Sequence, residues 1–73
     1  MTPTALRSAR HALGLSARGL ALALGMTPRS GRTVRRWEAG ASPISGPVAA
    51  AVRALLREAG LRLDGDIVVP LAA

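Results

Sequence analysis

Leucine, alanine and valine return along the chain at intervals of three and four residues with glycines between the runs, so the pattern predicts four short helices. The first opens at Thr2-Pro3, threonine as N-cap and proline in the first turn. It carries Leu6, Ala9, Arg10 and Leu13 on one side and stops at Gly14. Leu15 reads as a hydrophobic staple ahead of a second cap, Ser16. The second helix then runs from Ala17 to Leu24, turning Leu20, Ala21 and Leu24 inward and Leu22 outward, with Gly25 as its stop. The third lies between Ser30, read as N-cap, and Gly40, read as the left-handed stop. Thr27-Pro28 offers a rival start, one turn earlier. Residues 41–46 form a loop that tucks Ile44 into the core. Pro47 opens the fourth helix, whose stripe of Val48, Ala51, Val52, Leu55 and Leu56 ends at Gly60, with Arg53, Arg57 and Glu58 on the wet side.

After Gly60 the period becomes two. Leu61-Arg62-Leu63, Asp64-Gly65-Asp66 and Ile67-Val68-Val69 read as strand, turn and strand. A lone two-stranded hairpin is marginal in water. Two arrangements support it: packing on the helices, or pairing of its edge with the same edge of a second chain, and the second is the expected one. The fold class is thus mainly α with a short C-terminal β-hairpin or strand. Residues 1–60 form the helical domain and 61–73 a tail that serves as a dimerisation element.

The third helix sorts its residues sharply. Val34, Trp37 and Glu38 share one side, and Arg32, Arg35 and Arg36 share the other. Like charges at that spacing weaken an isolated helix, and a polyanion reverses the penalty. A basic stripe opposite an apolar one suits a nucleic-acid groove; the plainer alternative is a solvated charged face. Trp37 goes to the core with Val34 rather than to base stacking.

Composition sharpens this picture. At 73 residues the chain is one domain that buries about 60% of the surface its unfolded form exposes, so a partner is a reasonable source of extra stability. There is no cysteine, which excludes disulfides and thiolate metal sites. No apolar run suits a membrane span and no secretory h-region opens the chain, so a soluble, cytoplasmic protein is expected, with no membrane partner. Residues 1–57 hold nine arginines and one acid, a net of +8; residues 58–73 hold one arginine and three acids, a net of −2. All ten basic residues are arginine, which suits bidentate contact with phosphate and guanine, although a genome rich in G and C also favours arginine codons. The basic part points to a nucleic acid and the acidic tail away from one.

Catalytic chemistry finds no foothold. There is no glycine-rich phosphate loop, metal-ligand cluster or nucleophile–base pair, so no enzyme and no cofactor are expected. His11 lies on an exposed helix side with Arg7, and Asp64 with Asp66 falls far short of a calcium loop. Glu38 is the single acid before residue 58 and shares a side with Val34 and Trp37, so it needs a buried partner; Arg10, on the inner side of the first helix, is the best placed.

Taken in order, Leu6-x-x-x-Arg10-x-x-Leu13-Gly14-Leu15-Ser16, Leu20-Ala21-x-x-Leu24-Gly25 and Ser30-x-x-Thr33-Val34-x-Arg36-Trp37-Glu38-x-Gly40 resemble the Xre/Cro/lambda-repressor helix-turn-helix domains. The resemblance covers residues 4–56. It implies a compact four-helix helix-turn-helix domain in which the second and third helices form the DNA-binding pair. It assigns base readout to Gly31, Arg32, Thr33 and Arg36. Backbone contacts fall to Ser16, Ala17 and Arg18 at the start of the second helix, to Arg29, Ser30 and Arg35, and to Ala41 and Ser42 beyond the third. It also implies the Arg10–Glu38 ion pair. One departure stands out: Met26-Thr27-Pro28-Arg29 is longer than the roughly two residues such domains need there, which bears on the angle at which the third helix enters. Gly31 lacks the amide side chain often found at its position, leaving readout to Arg32 and Arg36.

The function these readings imply is a sequence-specific regulator of transcription on double-stranded DNA, a repressor acting as a homodimer on an inverted repeat. One short helix reads too few base pairs alone, and a two-fold pair places half-sites roughly 34 Å apart or a multiple of it. The alternative is an antitoxin-like or accessory protein whose apolar tail, Ile67 to Leu71, binds another protein while DNA binding autoregulates. RNA is a weaker third reading, since one tryptophan is the whole aromatic complement. No small-molecule effector is expected, for want of a domain to hold one.

Overall fold

The computed structural model describes residues 1–72; Ala73, the last residue of the expected tail, lies outside them. Helix α1 is Pro3–Ala12, and Thr2 caps it by accepting from the Ala5 N–H at 3.0 Å. Helix α2 is Ala17–Ala23, capped by Ser16 on the Gly19 N–H at 2.9 Å. A 3-10 turn, Pro28–Ser30, leads without a break into α3, Gly31–Glu38. Helix α4 is Gly46–Glu58, one residue earlier than Pro47, because Ser45 takes the cap and accepts from Val48 N–H at 3.3 Å. Strands β1, Leu61–Asp64, and β2, Ile67–Pro70, pair antiparallel. The chain is mainly α.

The helix ends repeat one device. Gly14, Gly25 and Gly40 adopt positive φ, and the residue after each returns a hydrogen bond to the helix: Leu15 N–H to Arg10 C=O, Met26 to Ala21 and Ala41 to Arg36, at 2.9–3.1 Å. This six-to-one bond with a left-handed residue inside it is the Schellman arrangement, and it satisfies carbonyls that a bare helix end leaves orphaned.

Ser30 is not the cap expected of it. Its own backbone is helical (φ −71°, ψ −1°), and its hydroxyl lies 3.3 Å from that of Thr27 instead of on a backbone N–H. The rival start prevails: Thr27 holds the extended conformation that precedes a helix, and Pro28 presets φ for the first turn. The long connection between α2 and α3 is therefore absorbed as an extra turn, with Met26 packed against the core.

One apolar cluster holds the elements together. Leu6, Leu20, Val34, Val52 and Leu56 are its largest fully buried side chains, joined by Ala9, Ala17, Ala21 and Trp37. Ile44 packs on it from the loop, as expected. On α4 the buried alanine is Ala49, whereas Ala51 is exposed; the stripe runs Ala49, Val52, Leu56 with Val48 and Leu55 half-buried. Leu22 is 48% exposed, as its spacing implies.

The hairpin lies on the helices of its own chain, correcting the expectation that its edge seeks a second copy for support. β1 packs on α4 and β2 on α1, and Leu61, Leu63 and Val68 close over the core. The Thr2 hydroxyl donates to the Asp66 carboxylate, tying the turn to the start of α1. Register pairs Asp64 with Ile67, so the two turn residues are Gly65 and Asp66. Gly65 takes positive φ (64°) and Asp66 does not, the pattern of a type II′ turn. Among the described residues no helix is long and apolar enough to cross a membrane.

Candidate nucleic-acid interface

Helix α3 buries Gly31, Val34 and Trp37 and exposes Arg32, Arg35 and Arg36. The indole is 8% exposed and Val34 wholly covered, so the apolar side is fixed in the core and the arginine side is left to solvent. Arg18 at the start of α2 and Arg29 in the 3-10 turn are exposed as well, while Thr33, Ser30 and Ser42 are half-buried. The elements that carry these arginines, α2, the 3-10 turn and α3, pack against one another.

The single acid of this region is taken out of play. Glu38 accepts from Arg10 Nε at 2.7 Å and from Arg10 Nη2 at 2.9 Å, a bidentate pair whose side chains are 7% and 15% exposed. Arg10 Nη1 also donates to the Leu15 C=O at 3.1 Å. One guanidinium thus joins α1, the turn before α2 and α3. The hydrogen bonds that Arg10 donates to Glu38, with that carboxylate's charge, hold Arg10 above the ordinary guanidinium pKa against the opposing effect of burial. With its carboxylate engaged inward, α3 presents positive charge alone to solvent.

Arg7 is the residue that the sequence reading missed. Its Nε lies 3.7 Å from Glu38 Oε1 while its side chain stays 67% exposed. It borders an open hollow of about 510 Å³ shared with Arg35, Ser16 and Ala17. The signal was present: Arg7 precedes Arg10 by three residues, one helical turn away on a neighbouring side of α1.

Two expected roles change. Gly31 is buried, and a Cβ built on it would lie 3.2 Å from both Arg18 Cα and Arg18 N, so its part is to let α3 cross close to α2 rather than to meet a base edge. Ala17 is buried too, so only its backbone amide, ahead of the first intrahelical bond from Leu20 N–H to Ser16 C=O, remains for any contact. Ala41 is exposed just after the Gly40 turn, and Ser42 Oγ accepts from Arg36 Nε at 3.3 Å, so two positions assigned separately act on one another. His11 is exposed on α1, as its spacing implies. No family model, no curated protein and no solved structure matches the chain.

Proposed function

We propose that this chain is a helix-turn-helix protein that reads double-stranded DNA, with α2 and α3 as the pair and α3 in the major groove. The observation that carries the reading is the division of α3: indole and Val34 sealed inside, Glu38 neutralised by Arg10, and three arginines outside. Arg32, Arg36 and Thr33 meet base edges; Arg36 is steadied by Ser42. Arg18, Arg29 and Arg35 meet phosphates on either side, and the hollow between Arg7, Arg35 and Ser16 takes a further one. Ser30 and the exposed Ala41 border the backbone path. Occupying a site on DNA blocks access to it, so repression is the proposed sense. One α3 reads too little sequence for useful discrimination, so a two-fold pair on an inverted repeat is part of the proposal.

Selection from random duplex DNA, followed by anisotropy titrations across salt, tests it. Arg36→Ala relaxes the base preference, costing about 1–3 kcal/mol of discrimination at its position. Arg18→Ala weakens all sequences alike and flattens the log–log salt slope by roughly 0.9. Equal loss on every sequence for Arg36→Ala overturns its assignment to base edges.

A further inference from the structure

A second basic surface lies apart from α3. A hollow of about 270 Å³ opens between α4 and the hairpin, lined by Arg53, Leu56 and Arg57 of α4, Arg62 and Leu63 of β1, and Leu71 just past β2. Its floor is apolar, with Leu56 fully buried and Leu63 half-buried. Leu71 remains 39% exposed and forms a wall, held there by its N–H, which donates to the Gly60 C=O at 2.9 Å. The rim is basic. Arg53 and Arg57 stand four residues apart on one side of α4, and the turn at Gly60 brings Arg62 back to the same hollow. Among the described residues none of these three guanidinium groups pairs with a carboxylate. Glu58 and Asp64, the acids nearest in sequence, do not line the hollow, and Asp66 accepts from Thr2 instead.

We propose that this hollow binds a small amphipathic acid, an acyl carboxylate whose chain lies on Leu56, Leu63 and Leu71 and whose head group is taken by Arg53, Arg57 and Arg62. Both halves of the ligand follow from the lining. Three unneutralised cations around one opening repel one another, and a single anion relieves them all; the planar guanidinium fork matches a carboxylate in particular. An inorganic anion or a nucleic-acid backbone meets the arginines and leaves the leucines uncovered. A neutral apolar molecule covers the leucines and leaves the arginines unpaired. The aliphatic lining, with no aromatic ring to stack on, suits a flexible chain. The volume sets its length: 270 Å³ is just under the about 300–1,000 Å³ of sites for drug-sized ligands, so the occupant is short. No separate domain is needed to hold it, because helix and hairpin of the one domain make the hollow. The site shares no residue with α2, the 3-10 turn or α3, so it stands or falls independently of the DNA reading.

Titration of the full chain with octanoate, followed through its amide NMR spectrum, carries the test. Acetate serves as the charge without the chain, and octanol as the chain without the charge. Octanoate shifts the amides of Arg57, Arg62, Leu63 and Leu71 and saturates at millimolar concentration, while each control binds roughly tenfold more weakly or worse. Arg57→Gln and Arg62→Gln, both at exposed positions, each weaken octanoate by about fivefold and keep the circular dichroism of the unaltered chain. The absence of a saturable shift overturns the inference, as does acetate or octanol binding as tightly as octanoate. So does octanoate binding that survives both substitutions, or shifts confined to Leu24, Met26 and Trp37, which place the acid in the apolar groove on the other side of α4. Displacement of octanoate from the same amides by duplex DNA assigns the three arginines to phosphate instead.

Discussion

Glu38 offers both carboxylate oxygens to one guanidinium, and the value of that arrangement depends on how little water reaches it. With the side chains 7% and 15% exposed, Arg10→Met leaves a nearly buried charge whose remaining cation, Arg7 at 3.7 Å, is largely solvated. Loss of one partner from such a pair costs about 3 kcal/mol, so urea denaturation of Arg10→Met shows a correspondingly lower midpoint. Adding Glu38→Leu to Arg10→Met recovers most of the loss, since two apolar groups need no pairing. A double variant as unstable as the single one shows instead that the bond from Arg10 Nη1 to Leu15 carries the effect. The pair itself was legible, because a lone acid on an apolar helix side asks for an inner arginine. The burial of Gly31 was not: a glycine just inside a helix has no side chain to declare a packing role, and only the approach of Arg18 from another element reveals it. Arg7 escaped for a related reason, since spacing along α1 says which residues neighbour Arg10 and not which helix stands opposite.

At the scale of elements, sequence and structure agree where the local chemistry had one answer. Thr2-Pro3 and Ser16 each stood alone as starts, and both caps form. Ahead of α3 two starts competed, Thr27-Pro28 and Ser30, and proline decided the matter by fixing φ one turn earlier. Capping hydroxyls at these two serines therefore differ in worth. Ser16→Ala removes an acceptor from the Gly19 N–H and lowers stability by about 1 kcal/mol, whereas Ser30→Ala, with no cap to lose, changes the melting temperature little. Thermal unfolding of the two variants side by side checks this, and equal losses contradict the placement of Ser30 inside the helical turn. On α4 the apolar stripe was mistaken at Ala51 because alanines at 49, 50, 51 and 54 carry no amphipathic signal of their own; the neighbouring valines and leucines fix the face only to within one or two positions. The hairpin turn was legible as the triplet Asp64-Gly65-Asp66, of which Gly65 and Asp66 make the turn and Asp64 joins the strand.

For the molecule as a whole, the question the sequence left open was what supports the hairpin, since period-two alternation reveals an apolar side but not its partner. Leu61, Leu63 and Val68 answer it by closing over the same core that α1 and α4 line. A chain ended at Gly60 thus loses three half-buried aliphatic side chains at about 1 kcal/mol each, in addition to the β ladder and the Thr2–Asp66 contact. For so small a domain that is a large share of the total, and the truncated chain melts well over 10 °C lower or loses a cooperative transition altogether. The measurement separates two uses of one element. A tail that serves association alone leaves the melting temperature of a dilute sample unchanged when removed, because dilution has already parted the copies. A tail that seals the core costs its full stabilisation at any concentration. The inner face of the hairpin then belongs to the fold, its outer face stays in solvent, and a substitution such as Ile67→Ser touches only the latter.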